Sequence, residues 1–414
     1  MKNILLFSAL FIFTFGFSQT TLIPDPNFEQ ALIDLGYDTA PIDGSVPTAN
    51  ISSITDLDVN TKNIVDLTGI EDFTALTDLN CRYNQLTTLD VNNNTDLTYL
   101  HCGDNLQLAS LDVSNNISLT SLQCYNNQLT NLDLTNNVAL NNLGCSGNQL
   151  TSLDLSANTA LDYLLCFGNQ LTSLDLSANT AITQLVCSYN PLGTLDISML
   201  NNLVLLYTDY TQLTTLDVSN NIELSALQCY GNQLTNLDVS QNIVLWRINC
   251  NDNQLTTLDI TQNIALTYLD CFNNQLTSLD VRNGNNINFT LFNTTNNPEL
   301  TCIFVDNPDY SSDFWFDVDP ASTFVENEAE CEALSIGEYA FELDVTIYPN
   351  PTDNYLFIEG NKNPISISIY NLLGAEVITK STTNKINVSE LPKGIYIIKI
   401  SDGIGQTGRK FIKN

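Results

Sequence analysis

Residues 119–139 read LTSLQCYNNQLTNLDLTNNVA, and close variants of this 21-residue line fill most of the 414-residue chain. Cysteines at positions 81, 102, 124, 145, 166, 187, 229, 250 and 271 mark its beat, with one 22-residue step before Cys124 and a double step across Thr208. Val59 and Phe292 extend the column at either end, so about twelve coils lie between Ile54 and Asn297. In a strand, successive side chains face opposite ways; LxxLxC therefore turns Leu122 and Cys124 inward and Ser121, Gln123 and Tyr125 outward. The asparagine three residues after each cysteine can turn the chain and bond neighbouring backbone through its amide, forming a ladder when coils stack. Leu129, Leu132, Leu134 and Val138 are expected to carry the return path over the core. One coil cannot offset the entropy of ordering its residues, whereas a stacked array can.

The intact LxxLxLxxNxL core, with Cys in the last apolar strand position, resembles a leucine-rich repeat. The resemblance implies a parallel β-solenoid of about twelve 21–22-residue coils. The return path LTxLDVS is short and extended, leaving little room for an outer helix. A gently curved array is therefore expected over residues 51–300. Its front cap is expected at residues 19–50, where DPNFEQALIDLG (25–36) suggests a short helix with Asp25 as N-cap, Pro26 in the first turn and Gly36 past the end. The following VNTKNIVDLTGIEDFTAL (59–76) resembles the opening repeat of internalin-type proteins. Residues 301–340, beginning TCIFVDNPDYSSDFWFDVDP, depart from the repeat and are expected to form the rear cap and linker.

Both termini carry targeting signals. Residues 1–18 combine Lys2, an apolar run from Ile4 to Phe17, and small Gly16 and Ser18 before Gln19, as in a secretory signal peptide. Residues 341–414 alternate β-branched and aromatic residues between turn residues, as in a small antiparallel β-sandwich. Tyr348-Pro349-Asn350-Pro351, Ile369-Tyr370-Asn371 with Gly374, and Leu391-Pro392-Lys393-Gly394-Ile395-Tyr396 resemble the C-terminal sorting domain of the type IX secretion system of Bacteroidetes. That resemblance implies translocation across an outer membrane by the type IX machinery and removal of the tail at surface attachment or release. The expected location is secreted or outer-surface. Cys302 and Cys331 alone lie outside the ladder, and in an oxidising compartment they are expected to form a disulfide.

The chain carries 13 Lys+Arg against 46 Asp+Glu, a net charge of −33. Eight of the bases lie in the tail, and the body has only Lys62, Arg82, Arg247 and Arg282. A nucleic-acid partner is excluded for want of a basic footprint, and binding to an anionic membrane is disfavoured for the same reason. No stretch suggests a membrane span in the mature form. Much of the acidity is one Asp per coil, at 90, 112, 133, 154, 175, 196, 217, 238, 259 and 280. These carboxylates read as acceptors for the following turn, with a calcium ladder as the alternative.

Catalysis finds little footing. His101 is the only histidine and stands at an outward position; the ladder cysteines lack zinc-like spacing and read as small buried hydrophobes. Thr208, replacing Cys, reads as a degenerate coil. No cofactor, metal site or catalytic residue is expected. The informative surface is the outward side of the strands, expected to be concave. Tyr99, Tyr125, Tyr163, Phe167, Tyr207, Tyr230, Tyr268 and Phe272 lie there, with Tyr83, Tyr189 and Tyr210 at its rim. Tyrosines at positions that folding leaves free suit an interface. The expected function is binding or adhesion to a protein partner through this face. The alternatives are a glycan held on the same aromatic platforms, and cross-strand stacking that only stabilises the sheet.

Overall fold

The computed structural model describes residues 19–337, 345–359, 366–381, 384–401 and 406–414; the signal segment 1–18 lies outside them. Twelve three-residue strands, from Asp56–Asp58 to Leu291–Asn293, pair in parallel to form one sheet. The register stacks Leu57, Leu79, Leu100, Leu122 and Leu143 in one column that continues to Leu269 and Phe292, so Thr294 rather than Phe292 extends the cysteine column. The stack is the expected leucine-rich-repeat solenoid. On the return side, Thr257–Asp259, Ser278–Asp280, Cys302–Phe304 and Thr323–Val325 form a second, four-stranded parallel sheet. Extended chain on both sides of the coil follows from the short LTxLDVS segment, which cannot accommodate a helix.

Leu119, Leu122, Cys124, Leu129, Leu132 and Leu134 are buried, as expected, but Val138 is not: it is 58% exposed. The inward place belongs to Asn137, whose amide donates to the Val113 and Asn116 carbonyls at 3.1 and 2.9 Å. The solenoid therefore contains two asparagine ladders. In the first, Asn148 donates to the Cys124 and Cys145 carbonyls, each at 3.0 Å, while its Oδ1 accepts from Leu129 N–H at 2.9 Å. In the second, Asn94, Asn116, Asn137, Asn158, Asn179, Asn221, Asn242 and Asn263 are fully buried, and their Oδ1 atoms have no donor. The second ladder was missed because a β-branched residue after Asn-Asn reads as core, although the turn points it to solvent.

The residue two beyond each cysteine is left-handed. Positions 83, 104, 126, 147, 168, 189, 210, 231, 252, 273 and 296 all have φ between 52° and 66°. Gly, Asn and Asp tolerate this region, whereas tyrosine is strained there. Tyr83, Tyr189 and Tyr210 are the exceptions to that pattern.

At the front, the helix Pro26–Asp34 begins where the sequence places it. Asp25 accepts from Asn27 and Phe28 N–H and, with its other oxygen, from Val65 and Asp66 N–H, tying the cap to the first coil. At the rear, Pro308–Phe314 is a short helix, and Trp315 stacks on Phe292 with ring centroids 4.0 Å apart, closing the core. Cys302 and Cys331 are disulfide-bonded, and the nine ladder cysteines are free thiols.

The chain divides into compact units at 1–326 and 327–414. In the second, a three-stranded and a four-stranded antiparallel sheet share a core that includes Leu356, Ile367, Ile398 and Phe411. Among the described residues, no helix is long and apolar enough to cross a membrane.

Candidate binding face

The turns beside the strands account for much of the chain's polar chemistry. Each Asp of the return-path column accepts the backbone N–H two residues on, at 2.9–3.1 Å, from Asn92 for Asp90 to Arg282 for Asp280. That bond is the largest influence holding Asp112, Asp133, Asp154 and Asp175 below the usual carboxylate range. The carboxylates act as turn acceptors. Among the described residues, no group of three or more His, Cys, Asp or Glu side chains could hold a metal ion. The ladder thiols are wholly buried, and burial pushes those of Cys102, Cys145, Cys187 and Cys250 up to about 12. They are inert as nucleophiles.

The eight aromatic residues expected on the outward face do lie in its columns, but they fall into separate groups. Tyr99 and Tyr125 meet through His101, which the sequence places at the surface. Instead it is only 6% exposed, with Nδ1 3.2 Å from the Tyr99 hydroxyl and Nε2 3.0 Å from that of Tyr125. The two rings cover it from either side, and burial, with Arg82 nearby, lowers its basicity. Gly103 makes room: a Cβ there would lie 2.9 Å from the Tyr125 ring.

The middle rows are apolar. Tyr163 pairs in register with Gln184 and onward to Leu205, and Leu165 with Val186 and Tyr207. Tyr163 and Phe167 are 38% and 43% exposed, while Leu165, Val186, Leu205 and Tyr207 are half-buried around them. At the outward strand positions, charge is kept to the two ends. Asp56, Asp58 and Asp78 stand in the first rows. In the last rows, the Arg247 guanidinium lies 4.4 Å above the Tyr268 ring, and Asn251 donates to Asp270 at 3.2 Å. Tyr268 and Phe272 are half-buried in those rows.

One group was not legible as a site. In the coil of Leu205–Tyr207, Thr208 and Thr211 replace the Cys and Asn of the ladders, and Thr211 Oγ1 donates to the Thr208 carbonyl at 2.7 Å. Between them Asp209 is 4% exposed. Its Oδ2 accepts from Ser188 Oγ at 2.9 Å, and its buried Oδ1 has no donor. Burial raises this carboxyl to about 6, against the pull of Ser188. Beside it in the chain or on the adjoining coils, Tyr189 and Tyr210 lie 4.9 Å apart, and Tyr210 meets Tyr230 edge-on at 5.4 Å. The signal in the sequence is the pair of ladder replacements flanking one acid.

Comparison with known proteins bears on both units. Residues 346–414 match the model of the secretion system C-terminal sorting domain. An internalin (inlF) from Listeria monocytogenes strain 4b F2365 superposes with a TM-score of 0.57 at 24% identity, covering 69% of this chain and 83% of that one. The likeness shows the fold, a leucine-rich-repeat solenoid, and the tail is a secretion-system sorting domain. Internalin J of Listeria monocytogenes serotype 4b (strain F2365) is 38% identical to this chain over 72 residues. The match spans 17% of this chain and 8% of the relative. The functional domain of InlJ from Listeria monocytogenes, described as including a cysteine ladder, matches at 24% identity with a TM-score of 0.48. It covers 96% of this chain and 99% of that one. The sorting domain makes this a secreted or cell-surface protein.

Proposed function

We propose that this leucine-rich-repeat protein is a non-catalytic adhesion or binding protein that docks a protein partner against its twelve-stranded face. The observation that carries the reading is the middle of that face. Outward positions that the fold leaves free hold Tyr163, Phe167 and Tyr207 together with aliphatic Leu165, Val186 and Leu205, and exposed charge at the outward strand positions is confined to the ends. A desolvated aromatic and aliphatic centre with a polar rim is the anatomy of a protein interface. A polysaccharide site would not call for three aliphatic side chains among its rings. After export by the secretion machinery that reads the tail, the solenoid would present this face at the cell surface or free of it.

The test uses the full chain, offered both to candidate surface proteins and to a glycan array. Phe167→Ser and Tyr163→Ser should abolish protein capture while leaving the melting temperature within about a degree, because neither side chain contributes to the buried core. Glycan binding without protein capture, or capture that survives both substitutions, would replace this reading. Tyr125→Ala, Tyr230→Ala and Phe272→Ala separate binding from cross-strand stabilisation: lost folding assigns those rings to the sheet, and lost binding with intact folding assigns them to the interface.

A further inference from the structure

We propose that Tyr189, Tyr210 and Tyr230, grouped beside Asp209, form a recognition site for a cationic side chain, a lysine ammonium or an arginine guanidinium, on the docked protein. The proposal rests on the docking reading above and names one chemical requirement of its partner.

Three independent features meet there. The repeat breaks at this coil in both the cysteine and the asparagine columns, and the acid sits between the two breaks. Asp209 is buried with one oxygen lacking a donor, whereas each carboxylate of the return-path column accepts a backbone N–H. A desolvated anion of that kind is stabilised by a nearby cation far more than an exposed one is.

The second feature is backbone strain. Tyr189 and Tyr210 hold φ of 57° and 52° at positions where every other coil except that of Tyr83 uses Gly, Asn or Asp. Strain kept at a surface position points to a use for the side chain. Both rings are about half exposed. Gly231 lets the Tyr210 ring lie across the next coil, since a Cβ there would sit 2.5 Å from Cε1. The rings therefore offer π-faces and hydroxyls beside a buried negative charge, the combination that attracts cations.

The third feature is the shortage of internal counter-charge. The body has four bases, and Arg247, the one whose charge reaches Asp209, is held over the Tyr268 ring. A sugar could stack on the same rings but would add no counter-charge for Asp209.

The experiment titrates the full chain with N-acetyl-lysine methylamide, with its uncharged norleucine counterpart, and with an oligosaccharide, following binding by calorimetry and tyrosine ring signals. Because an acidic rod attracts any cation weakly, the variants must separate site from field. Asp209→Asn and Asp154→Asn each remove one charge, and only the first touches the site. Tyr210→Asn keeps the charge and installs a residue the repeat already uses at this backbone position, at Asn126 and Asn273. The lysine probe should bind at least tenfold more weakly to Asp209→Asn and to Tyr210→Asn than to wild type or Asp154→Asn. Equal binding to the two Asp variants, or equal binding of lysine and norleucine probes, overturns the proposal, and so does a preference for the oligosaccharide. Partner capture that is lost in Phe167→Ser but retained in Asp209→Asn and Tyr210→Asn would leave the docking reading standing and remove the cation site alone.

Discussion

Asp209 opposes the fold that contains it. Its carboxyl is raised to about 6, mainly by burial, against an ordinary value of 3.8. Between these two values the native chain binds a proton that the unfolded chain does not. The contribution of this group to stability therefore rises as pH falls from about 7 to 4, and is most unfavourable at neutral pH and above. Asp209→Asn should accordingly stabilise the protein by about 1–3 kcal/mol at pH 7.5, and the gain should vanish near pH 4. Thermal melts of the two proteins across that range check it; a gain that does not depend on pH would assign the effect to packing. The sequence shows why this residue was hard to see. Each replacement in LVLLYTDYTQL is conservative, and only the register that buries Asp209 beside three tyrosines turns a weak coil into a charged one. His101 is the same lesson in milder form: alternation correctly turns it away from the leucine core, but two tyrosines on neighbouring coils enclose it.

Columns, not single coils, are the elements of this molecule. The cysteine and first asparagine columns were legible because each recurs at a fixed place relative to LxxL. The second asparagine column was hidden by Ile117 and Val138, whose side chains suggest core but are 60% and 58% exposed. The two ladders differ in how completely they satisfy their amides. Asn148→Ala removes two donors and an acceptor, and strands the Leu129 N–H; Asn158→Ala removes donors alone, to the Leu134 and Asn137 carbonyls. With ~1 kcal/mol for each bond and more for a stranded buried group, losses of about 2–4 and about 1–2 kcal/mol are expected, in that order. Denaturant titration of both variants gives the ranking, and the reverse ranking would contradict the hydrogen-bond assignment. The thiol column makes a separate prediction. The nine free cysteines should resist an aqueous thiol reagent in the native protein and react together on unfolding, leaving Cys302 and Cys331 unreactive until a reductant is added. Gradual reaction of a few thiols under native conditions would mean that the coils open one at a time.

For the whole molecule, the net charge of −33 is written largely into the solenoid. Among the described residues it is relieved by two ion pairs, Lys62–Asp34 at 3.3 Å and Arg282–Asp280 at 2.5 Å. Self-repulsion of this kind weakens as salt shortens the Debye length from ~30 Å at 0.01 M to ~8 Å at 0.15 M. The melting temperature should therefore rise by a few degrees over that range of sodium chloride. Calcium at matched ionic strength should add nothing further, because each column carboxylate already serves a turn. A calcium-specific rise would restore the ladder of cation sites. The fold, the caps and the sorting tail were legible because repetition and punctuation state them many times over. The face was legible only as a list of aromatic residues, since pairing across coils, which divides that list into groups, appears in no single repeat.

The identical runs NQLTSLDLSANTA at 148–160 and 169–181 have a consequence for how the protein can change. Whole coils can be duplicated or lost by slippage between such repeats without creating a new kind of contact, each event altering the rod by one strand spacing of ~4.8 Å. Single-residue changes in length are confined to solvent: the 22-residue coil places its extra residue at the turn of Leu106, which is 67% exposed. Reach is therefore the property this architecture varies most freely, while the Asp209 coil, with no twin in the array, is the one that such slippage could erase but not rebuild.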